Sequence, residues 1–321
     1  MHVTSRRRLL AGGTALTLAA GSSRRPAAEP LDNPLERLFE QILSRDTSID
    51  PLAPVAVPAP AAVTEGVAEV AGTTLWYWDT GGAGEPVVLL HPASGSALSW
   101  GYQQPVFAAA GYRVIGFSRR GYYGSSPLDH DRPGIASEDL HGLADVLNLE
   151  TFHLVGSAQG GSVAADYAFS HTERCLSLTV SSNQFGVVDG DIAAAASRIR
   201  LPGFDDIPVE FREVGPSYRA RNPDGWQQWI ELERRSGLTD SFRQPLKNRI
   251  TEAMLETLKV PVLVICGAAD LLTPPSIGRM IAAKIPHAEL VVAPEAGHSV
   301  YWEEPEVFNR AVLAFIAKHR G

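Results

Sequence analysis

The sequence predicts an α/β fold in which helices cover both faces of a mostly parallel, eight-stranded sheet. Short apolar runs of strand length recur along the chain, and stretches with apolar residues at helical spacing separate them. Strands that alternate with helices in this way are typical of parallel sheets buried on both faces. The chain has 321 residues, of which 45% are hydrophobic, so it can bury a large core in one such domain.

The predicted strands begin with a hairpin. Residues 67–70 and 75–79 alternate apolar and polar side chains, which predicts two antiparallel strands at one edge of the sheet, with a turn at Gly72. Six later runs are mostly apolar, as is typical of strands that are covered on both faces. They occupy residues 86–90, 112–117, 152–156, 176–182, 260–266 and 288–292.

The strand pattern stops between residues 183 and 258. Apolar residues at helical spacing predict four helices in this stretch, at residues 189–200, 209–221, 226–235 and 243–258. A helical insertion of this length, at about residues 185–258, predicts a cap. We expect the cap to lie over the carboxyl ends of the parallel strands, where α/β sheets place their sites.

Residues 1–28 have the features of a twin-arginine-type signal peptide. The stretch Ser5–Leu10 holds three arginines followed by two leucines, and a mildly apolar run extends from Ala11 to Gly21. A second arginine pair and the small residues that end at Ala28 predict a cleavage zone. The protein is therefore expected to be exported by the twin-arginine route to the periplasm or the medium; the alternative is a disordered basic tail.

Residues 29–64 predict an arm or linker before the domain, which we expect to span residues 65–321. Prolines and alanines are frequent in this stretch. One short helix is expected at residues 33–43, because Asn33 can cap it and Pro34 is favoured at the first helical position.

Charge and composition argue against several classes of partner and cofactor. The net charge of −8 becomes −13 without residues 1–28, which carry five arginines and no acidic residue. Such an acidic protein is a poor ligand for nucleic acids and anionic membranes. The sequence has no run of 18 apolar residues, which a membrane anchor would require, so no membrane anchor is expected. Metal-ligand spacing and phosphate-binding glycine loops are missing from the sequence, so we expect no metal and no cofactor. Cys175 and Cys266 are expected to be buried free thiols, and the expected partner is a small molecule.

The most informative motif follows the strand predicted at residues 152–156. The chain continues as Gly156-Ser157-Ala158-Gln159-Gly160-Gly161 and then takes a helical pattern. A strand, a sharp glycine-flanked turn and a helix form the nucleophile elbow, G-x-S-x-G, whose tip carries the attacking side chain. Here the tip is Ala158, and a methyl group cannot attack a carbonyl.

Two later strands end in residues that carry acid–base chemistry. Asp270 follows the strand at residues 260–266, and His298 follows the strand at residues 288–292. Together with Ala158, they stand in the chain order of a nucleophile, an acid and a histidine. Because the carboxyl ends of parallel strands share one edge of the sheet, we expect the three positions to meet there.

A third loop at the same edge, His91 to Ser96, follows the strand at residues 86–90. Backbone N–H groups of such a loop, and of the residue after the elbow tip, can hold a developing oxyanion. The elbow and this loop resemble those of α/β-hydrolases, and the resemblance implies that the oxyanion-hole donors are Ala93 or Ser94 from the loop and Gln159 from the elbow.

In this order the motifs resemble those of capped α/β-hydrolases, the superfamily that includes esterases, lactonases, C–C hydrolases and haloperoxidase-like enzymes. The resemblance covers residues 86–300 and implies that His298 is the base, that Asp270 orients it, and that Ala158 occupies the nucleophile position. Two further departures stand beside Ala158. Pro92 replaces the usual second glycine of the oxyanion loop, and residues 118–126 resemble the family's D-x-R-G-x-G-x-S turn without its aspartate and one residue longer.

Aromatic residues predict an apolar substrate pocket under the cap. Some fall within the cap segment, and others follow the oxyanion loop, which itself begins with a histidine. The expected pocket residues are His91, Trp100, Tyr102, Phe185, Phe204, Trp226 and Trp229.

Three explanations of Ala158 stay open. The protein is an enzyme whose His298–Asp270 dyad acts as a general base without a covalent nucleophile, or a binding protein that has the same pocket, or an ordinary serine hydrolase that carries an engineered serine-to-alanine change. Ser157 is no easy substitute, because it precedes the tip and its side chain should point away from His298. Binding alone does not require both Asp270 and His298, so their presence favours the enzyme. No motif identifies the substrate or the oligomeric state.

Overall fold

The computed structural model describes residues 53–200, 202–237 and 243–321. These residues form the strands β1 (Thr64–Val70), β2 (Thr73–Asp79), β3 (Pro86–Leu90), β4 (Arg113–Phe117), β5 (Phe152–Ser157), β6 (Cys175–Ser181), β7 (Val262–Gly267) and β8 (Glu289–Ala293). They pair in one sheet in the order β1-β2-β4-β3-β5-β6-β7-β8. Strand β2 is antiparallel to β1 and β4, and the remaining neighbours are parallel. The predicted fold class is confirmed.

Each predicted strand is present, with ends that shift by up to three residues. The edge hairpin forms between β1 and β2, and its turn contains Gly72, whose φ of 76° lies in the left-handed region. A glycine is suited to this turn because it has no side chain to clash at positive φ.

The helices are α1 (Gln104–Ala109), α2 (Ala136–Val146), α3 (Gln159–Ser170), α4 (Gly190–Ser197), α5 (Val209–Glu213), α6 (Pro216–Arg221), α7 (Pro223–Arg235), α8 (Glu252–Leu255), α9 (Pro275–Lys284), α10 (Val300–Glu303) and α11 (Pro305–Ile316). Single turns of 3₁₀ helix occur at Ala97–Trp100, Thr172–Arg174 and Phe204–Asp206. In the described residues no helix is both long and apolar enough to cross a membrane.

The parallel strands send alternate side chains to two separate cores. In β3, Val88 and Leu90 belong to the core under α2, α3 and α9, whereas Val87 and Leu89 belong to the core under α1, α10 and α11. This two-residue period explains why the strand is apolar throughout, since both of its faces are buried.

The cap segment differs from the prediction in two places. The helix expected at residues 209–221 is two helices, α5 and α6, because Gly215 and Pro216 interrupt the hydrogen-bond ladder and Pro216 begins α6. The helix expected at residues 243–258 is wrong except for α8. The backbone N–H groups of Lys247 and Asn248 donate instead to the carboxylate of Asp166, both at 2.8 Å, which holds this stretch in a non-helical conformation.

The predicted signal peptide, the helix at residues 33–43 and the arm as far as residue 52 lie outside the described residues. The end of the arm runs along the domain. The Tyr102 hydroxyl donates to the carbonyl oxygen of Val55 at 2.6 Å, and the side-chain amide of Gln104 exchanges two hydrogen bonds with the backbone of Ala61. These contacts hold residues 55–61 against Tyr102 and Gln104, directly before β1 begins at Thr64.

Candidate active site

Ala158 stands at the tip of a sharp turn between β5 and α3. Its backbone has φ 47° and ψ −121°, a conformation that non-glycine residues rarely adopt. The turn is held by hydrogen bonds from the Ala158 amide to the carbonyl oxygen of Ser181 and from the Gly161 amide to Ala158, both 2.9 Å. The backbone therefore has the strained geometry of a nucleophile elbow although the side chain at the tip is a methyl group.

Two glycines allow this turn to pack closely. A Cβ atom on Gly156 would lie 2.5 Å from the carbonyl oxygen of Gly160, and one on Gly160 would lie 2.1 Å from the carbonyl oxygen of Leu90. Neither position tolerates a side chain. The second contact also places the elbow directly against the end of β3, where the loop that begins at His91 starts.

Ser157 does not replace the missing hydroxyl. Its side chain is fully buried, and its Oγ has no hydrogen-bond partner among the described residues. As the last residue of β5, it precedes the tip and belongs to the sheet.

His298 and Asp270 form a buried hydrogen-bonded pair. The Nδ1 atom of His298 lies 2.9 Å and 3.0 Å from the two carboxylate oxygens of Asp270, and the two residues are 7% and 4% exposed. The carboxylate also accepts the backbone N–H groups of Leu272 and Thr273, at 2.7 and 2.9 Å. Because Nδ1 is committed to Asp270, the Nε2 atom of His298 is the nitrogen that is left to exchange a proton.

The pair shifts the ionisation of both partners. Burial opposes the imidazolium, but the charge and hydrogen bond of Asp270 outweigh it and raise the pKa of His298 above its ordinary value. Burial likewise opposes the carboxylate, yet the charge of His298 and the hydrogen bonds lower the pKa of Asp270. Asp270 thus stays ionised and can orient and stabilise a His298 that takes up a proton.

The loop after β3 is anchored from behind by Arg119. Its Nη2 atom donates to the carbonyl oxygens of His91 and Pro92, both at 3.2 Å, and its backbone N–H donates to the Nε2 atom of His91 at 3.1 Å. His91 Nε2 is therefore an acceptor, and Nδ1 carries the proton and donates to Pro92 at 2.7 Å. Burial and the nearby charge of Arg119 hold the pKa of His91 well below its ordinary value, so His91 is a neutral, structural histidine with both ring nitrogens occupied.

These contacts orient the first expected oxyanion donor. The peptide between Pro92 and Ala93 is trans, so the Ala93 N–H points opposite to the Pro92 carbonyl. That carbonyl faces Arg119, and the N–H of Ala93 therefore points away from it. Gln159, the second expected donor, is the first residue of α3, where the backbone N–H has no acceptor within the helix.

Glu213, at the end of cap helix α5, was not identified from the sequence and joins the two loops. Its carboxylate accepts a very short hydrogen bond from the Ser94 hydroxyl. Its backbone carbonyl accepts the N–H groups of His298 and Ser299, at 2.9 and 3.0 Å. The cap thus places an ionisable side chain between the expected oxyanion loop and the histidine.

Two buried carboxylates, Glu303 and Glu304, also hold the histidine loop. Glu303 accepts the backbone N–H groups of Gly215 in the cap and of Gly297 and Ser299 beside His298, at 2.7 to 3.1 Å. Glu304 accepts two further N–H groups of the same loop, from Glu295 and Ala296, both at 2.7 Å. In the sequence these two residues appear only in the run Glu303-Glu304-Pro305, where α10 ends and α11 begins. That run does not indicate which groups the two carboxylates bind.

The aromatic residues expected to line the pocket are divided between two environments. Trp100 and Tyr102 are at most 3% exposed and pack on α10 and α11, with ring centroids 5.0 Å from Tyr301 and Trp302 respectively. Phe185 is fully buried in the opposite core. Core packing accounts for these three side chains, so the structure does not bring them together as a pocket.

Of the cap aromatics, Trp229 contacts the histidine loop. The indole N–H of Trp229 donates to the Ser299 hydroxyl at 3.1 Å, next to His298. Trp226 is partly exposed, contacts Phe211 edge-to-face at 5.6 Å, and its buried indole N–H has no acceptor among the described residues. Phe204 is also partly exposed.

Comparison with known proteins finds the same fold and related enzymes. A hydrolase of Paraburkholderia xenovorans (strain LB400), named for 2-hydroxy-6-oxononadienedioate and 2-hydroxy-6-oxononatrienedioate, is 29% identical over 273 residues, which cover 79% of this chain and 93% of that protein. The crystal structure of a bromoperoxidase from Bacillus anthracis superposes with a TM-score of 0.63 at 26% identity and covers 79% of this chain and all of that one. A thermophilic esterase from Thermogutta terrifontis gives a TM-score of 0.63 at 25% identity, with 81% of this chain and all of that one covered.

The sequence model of the alpha/beta hydrolase family matches residues 87–311. That range contains the elbow, the loop after β3, the cap and both members of the His298–Asp270 pair. The chain therefore belongs to the alpha/beta hydrolase family.

Proposed function

We propose that this protein is an enzyme that acts on a small apolar carbonyl, ester or lactone-like substrate by general-base catalysis. His298 is the base, Asp270 orients it, and the N–H groups of Ala93 or Ser94 and of Gln159 form the oxyanion hole. No covalent intermediate forms at Ala158. The observation that carries the proposal is the buried hydrogen bond between His298 and Asp270 in a chain whose elbow tip lacks a nucleophile.

Magnitudes favour this chemistry over the covalent route. In a serine hydrolase, loss of the nucleophile costs about 10⁶ in turnover, while oxyanion hole and binding retain roughly 10³–10⁴ over water. A positioned general base contributes about 10²–10⁴, and a preorganised oxyanion hole contributes about 10²–10³ per donor. A site with base and oxyanion hole therefore catalyses attack by water, or removes an acidic proton from a substrate, without a serine.

The direction of the proton follows from the geometry of the pair. His298 Nδ1 faces Asp270, so Nε2 takes the proton from water or substrate, and the resulting imidazolium lies against an ionised carboxylate. The negative charge that develops on the substrate oxygen is then held by the backbone N–H groups.

The substrate class rests on the cap and on the relatives. The partly exposed aromatic side chains of Phe204 and Trp226 favour an apolar ligand. The relatives are named as a hydrolase of two hydroxy-oxo diacids, a bromoperoxidase and an esterase. The oxo-acid and ester names support a carbonyl group as the feature that we assign to the substrate.

Two alternatives make different predictions. A binding protein with the same pocket would show ligand affinity without turnover. An ordinary serine hydrolase with an engineered alanine would gain about 10⁶ in turnover with Ala158→Ser and keep only a small residual rate without it. The presence of a complete His298–Asp270 pair, which binding does not require, favours the enzyme.

A substrate screen with three proteins separates these possibilities. We would assay the unaltered protein and the variants Ala158→Ser and His298→Ala against nitrophenyl acetate, alkyl esters, lactones and β-diketones. The variant His287→Asn is the matched control, because His287 is exposed. We expect turnover by the Ala158 protein, unchanged in His287→Asn and lost in His298→Ala. Turnover that survives His298→Ala contradicts general-base catalysis, and turnover only in Ala158→Ser supports the serine-hydrolase alternative.

We further propose that residues 1–28 direct export by the twin-arginine route. The support is the run of arginines and the short, weakly apolar segment that follows it. Replacement of Arg6 and Arg7 by lysine should leave the protein in the cytoplasmic fraction, and continued export of that variant would contradict the assignment.

A further inference from the structure

Glu213 is an ionisable side chain that the cap brings to the expected oxyanion loop. Its carboxylate accepts the Ser94 hydroxyl, and Ser94 is itself only 8% exposed. In the elbow of a serine hydrolase, the hydroxyl at the tip and the histidine share the proton transfers. Ala158 supplies no such hydroxyl, and Glu213 is an acid–base group that contacts both the expected oxyanion loop and the histidine loop.

The position of Glu213 is held from the backbone. Its carbonyl oxygen accepts two N–H groups of the histidine loop, from His298 and Ser299, and Gly215, two residues further on, donates to the buried carboxylate of Glu303 at 2.7 Å. A functional side chain supported by such contacts keeps its geometry without reorganisation. The anchoring distinguishes Glu213 from a charged residue on the outer face of a cap.

The charges around Glu213 couple it to the dyad. Burial raises the pKa of Glu213, and the charge of His298 opposes that shift in part. A pair of titratable groups in one site whose environments perturb them differently is a common arrangement for an acid and a base. The charged and titratable groups that act on Glu213, or on which it acts, are His298 and Asp270 on the strand-end loops, Arg212 on its own helix, Glu233 on α7 and Tyr301 on α10.

We infer that Glu213 is the general acid of this site and protonates the leaving group, opposite the general base His298. The inference rests on the proposed function. It assigns a catalytic role to the cap, beyond that of a cover over the substrate.

For an ester the protons and electrons balance as follows. His298 Nε2 takes a proton from water while the water oxygen bonds to the carbonyl carbon and the carbonyl electron pair moves to its oxygen. When the adduct collapses, the bond from carbon to the leaving oxygen breaks, its electron pair stays on that oxygen, and the oxygen takes the proton of the Glu213 carboxyl. The imidazolium proton then returns to the Glu213 carboxylate, so one water is consumed and the enzyme is restored.

A general acid matters only for leaving groups that need a proton, and this gives a readout that a structural role would not move. The test compares nitrophenyl acetate, whose leaving group departs as an anion, with an alkyl ester such as benzyl acetate. In Glu213→Gln we expect kcat for the alkyl ester to fall about 100-fold and kcat for nitrophenyl acetate to change less than about threefold. Glu210→Gln, one turn earlier on α5, is the matched control and should change neither rate.

The pH profile provides the second readout. With the alkyl ester, kcat/KM of the Ala158 protein should be bell-shaped, because both a neutral His298 and a protonated Glu213 are required. Glu213→Gln should retain a rise with pH and lose the fall at high pH. In the Ala158→Ser background, His298 can itself protonate the leaving group, so Glu213→Gln should have little effect there.

Several outcomes overturn the inference. Glu213 would have a structural role if Glu213→Gln lowered the rates with both esters equally or left the bell-shaped pH profile unchanged. The same conclusion would follow if Glu213→Gln caused the same loss in the Ala158→Ser background. A covalent acyl adduct on Ser94, detected by peptide mass spectrometry, would instead make Glu213 the base of a displaced nucleophile. If His298→Ala leaves the rate unchanged, the proposed function itself fails, whatever the effect of Glu213→Gln. If His298→Ala abolishes turnover and Glu213→Gln does not distinguish the two esters, only the inference about Glu213 fails.

Discussion

The backbone N–H of His298 donates to the carbonyl oxygen of Glu213 at 2.9 Å, so the histidine loop and the cap are joined at the residue that carries the imidazole. The same junction is reinforced by Glu303, which binds N–H groups on both sides of it. A change in the cap can therefore reach the backbone of the histidine loop through these hydrogen bonds.

Replacement of Glu303 by alanine should destabilise the protein and impair the site together. Three backbone N–H groups lose a buried acceptor, and a single buried donor without a partner costs about 1–3 kcal/mol, so we expect a loss of at least about 2 kcal/mol in the free energy of unfolding. Chemical denaturation measures it. The control is Glu306→Ala, since Glu306 is exposed on α11; equal stability of the two variants would show that Glu303 does not hold the loop.

Ala158→Ser should create covalent chemistry at the elbow. The strained turn and the His298–Asp270 pair are present, so a hydroxyl at the tip is expected to act as an elbow nucleophile. We expect a burst of nitrophenol from nitrophenyl acetate, and a single acetyl adduct in the intact-mass spectrum that peptide mapping assigns to the introduced hydroxyl. Neither burst nor adduct would mean that the site has a geometry unsuited to acyl transfer.

The rate with nitrophenyl acetate should rise with pH through the titration of His298. Only the neutral imidazole acts as a base, and Asp270 raises the pKa of His298 above its ordinary 6.5, so the midpoint of the rise is expected above pH 6.5. Asp270→Asn removes the carboxylate charge that favours the imidazolium. That variant should move the midpoint to lower pH and reduce the maximal rate by about 10²–10⁴. A midpoint that does not respond to Asp270→Asn would disconnect the titrating group from the dyad.

Two tryptophans from the predicted pocket should respond differently to substitution. Trp100 is 1% exposed in the core, so Trp100→Phe should lower the melting temperature, and Trp100→Ala should cost about 3–5 kcal/mol. Trp226 lies partly exposed on cap helix α7, so Trp226→Ala should change stability little and weaken binding of an aromatic ligand. Calorimetric titration and thermal unfolding of the Trp100 and Trp226 variants check this. Weaker binding in Trp100→Phe with unchanged stability would show that Trp100 lines the pocket.

The strand ends could be predicted from the sequence, and the cap could not. Asp270 and His298 follow apolar runs whose length and periodicity mark buried parallel strands, and parallel strands bring their carboxyl ends to one edge. Glu213 lies in a helix of ordinary amphipathic pattern, and its partner Ser94 is 119 residues away in the chain. No local pattern encodes such a contact, because it depends on how the cap folds back onto the sheet.

The same reasoning explains the aromatic residues. Trp100 and Trp229 have the same side chain, and the sequence places both near loops of the expected site. Both side chains are buried in the same core, and what separates them is the indole N–H: that of Trp229 donates to the Ser299 hydroxyl, whereas that of Trp100 has no partner among the described residues. Helical periodicity identifies a buried face and does not identify what covers it.

The most direct test of general-base catalysis without a nucleophile is the turnover of His298→Ala beside its ligand affinity. The account predicts that kcat of the Ala158 protein falls to background in His298→Ala, while the dissociation constant of a substrate analogue stays within about tenfold, or 1.4 kcal/mol. Normal turnover by His298→Ala would contradict it and leave the His298–Asp270 pair as packing in the fold.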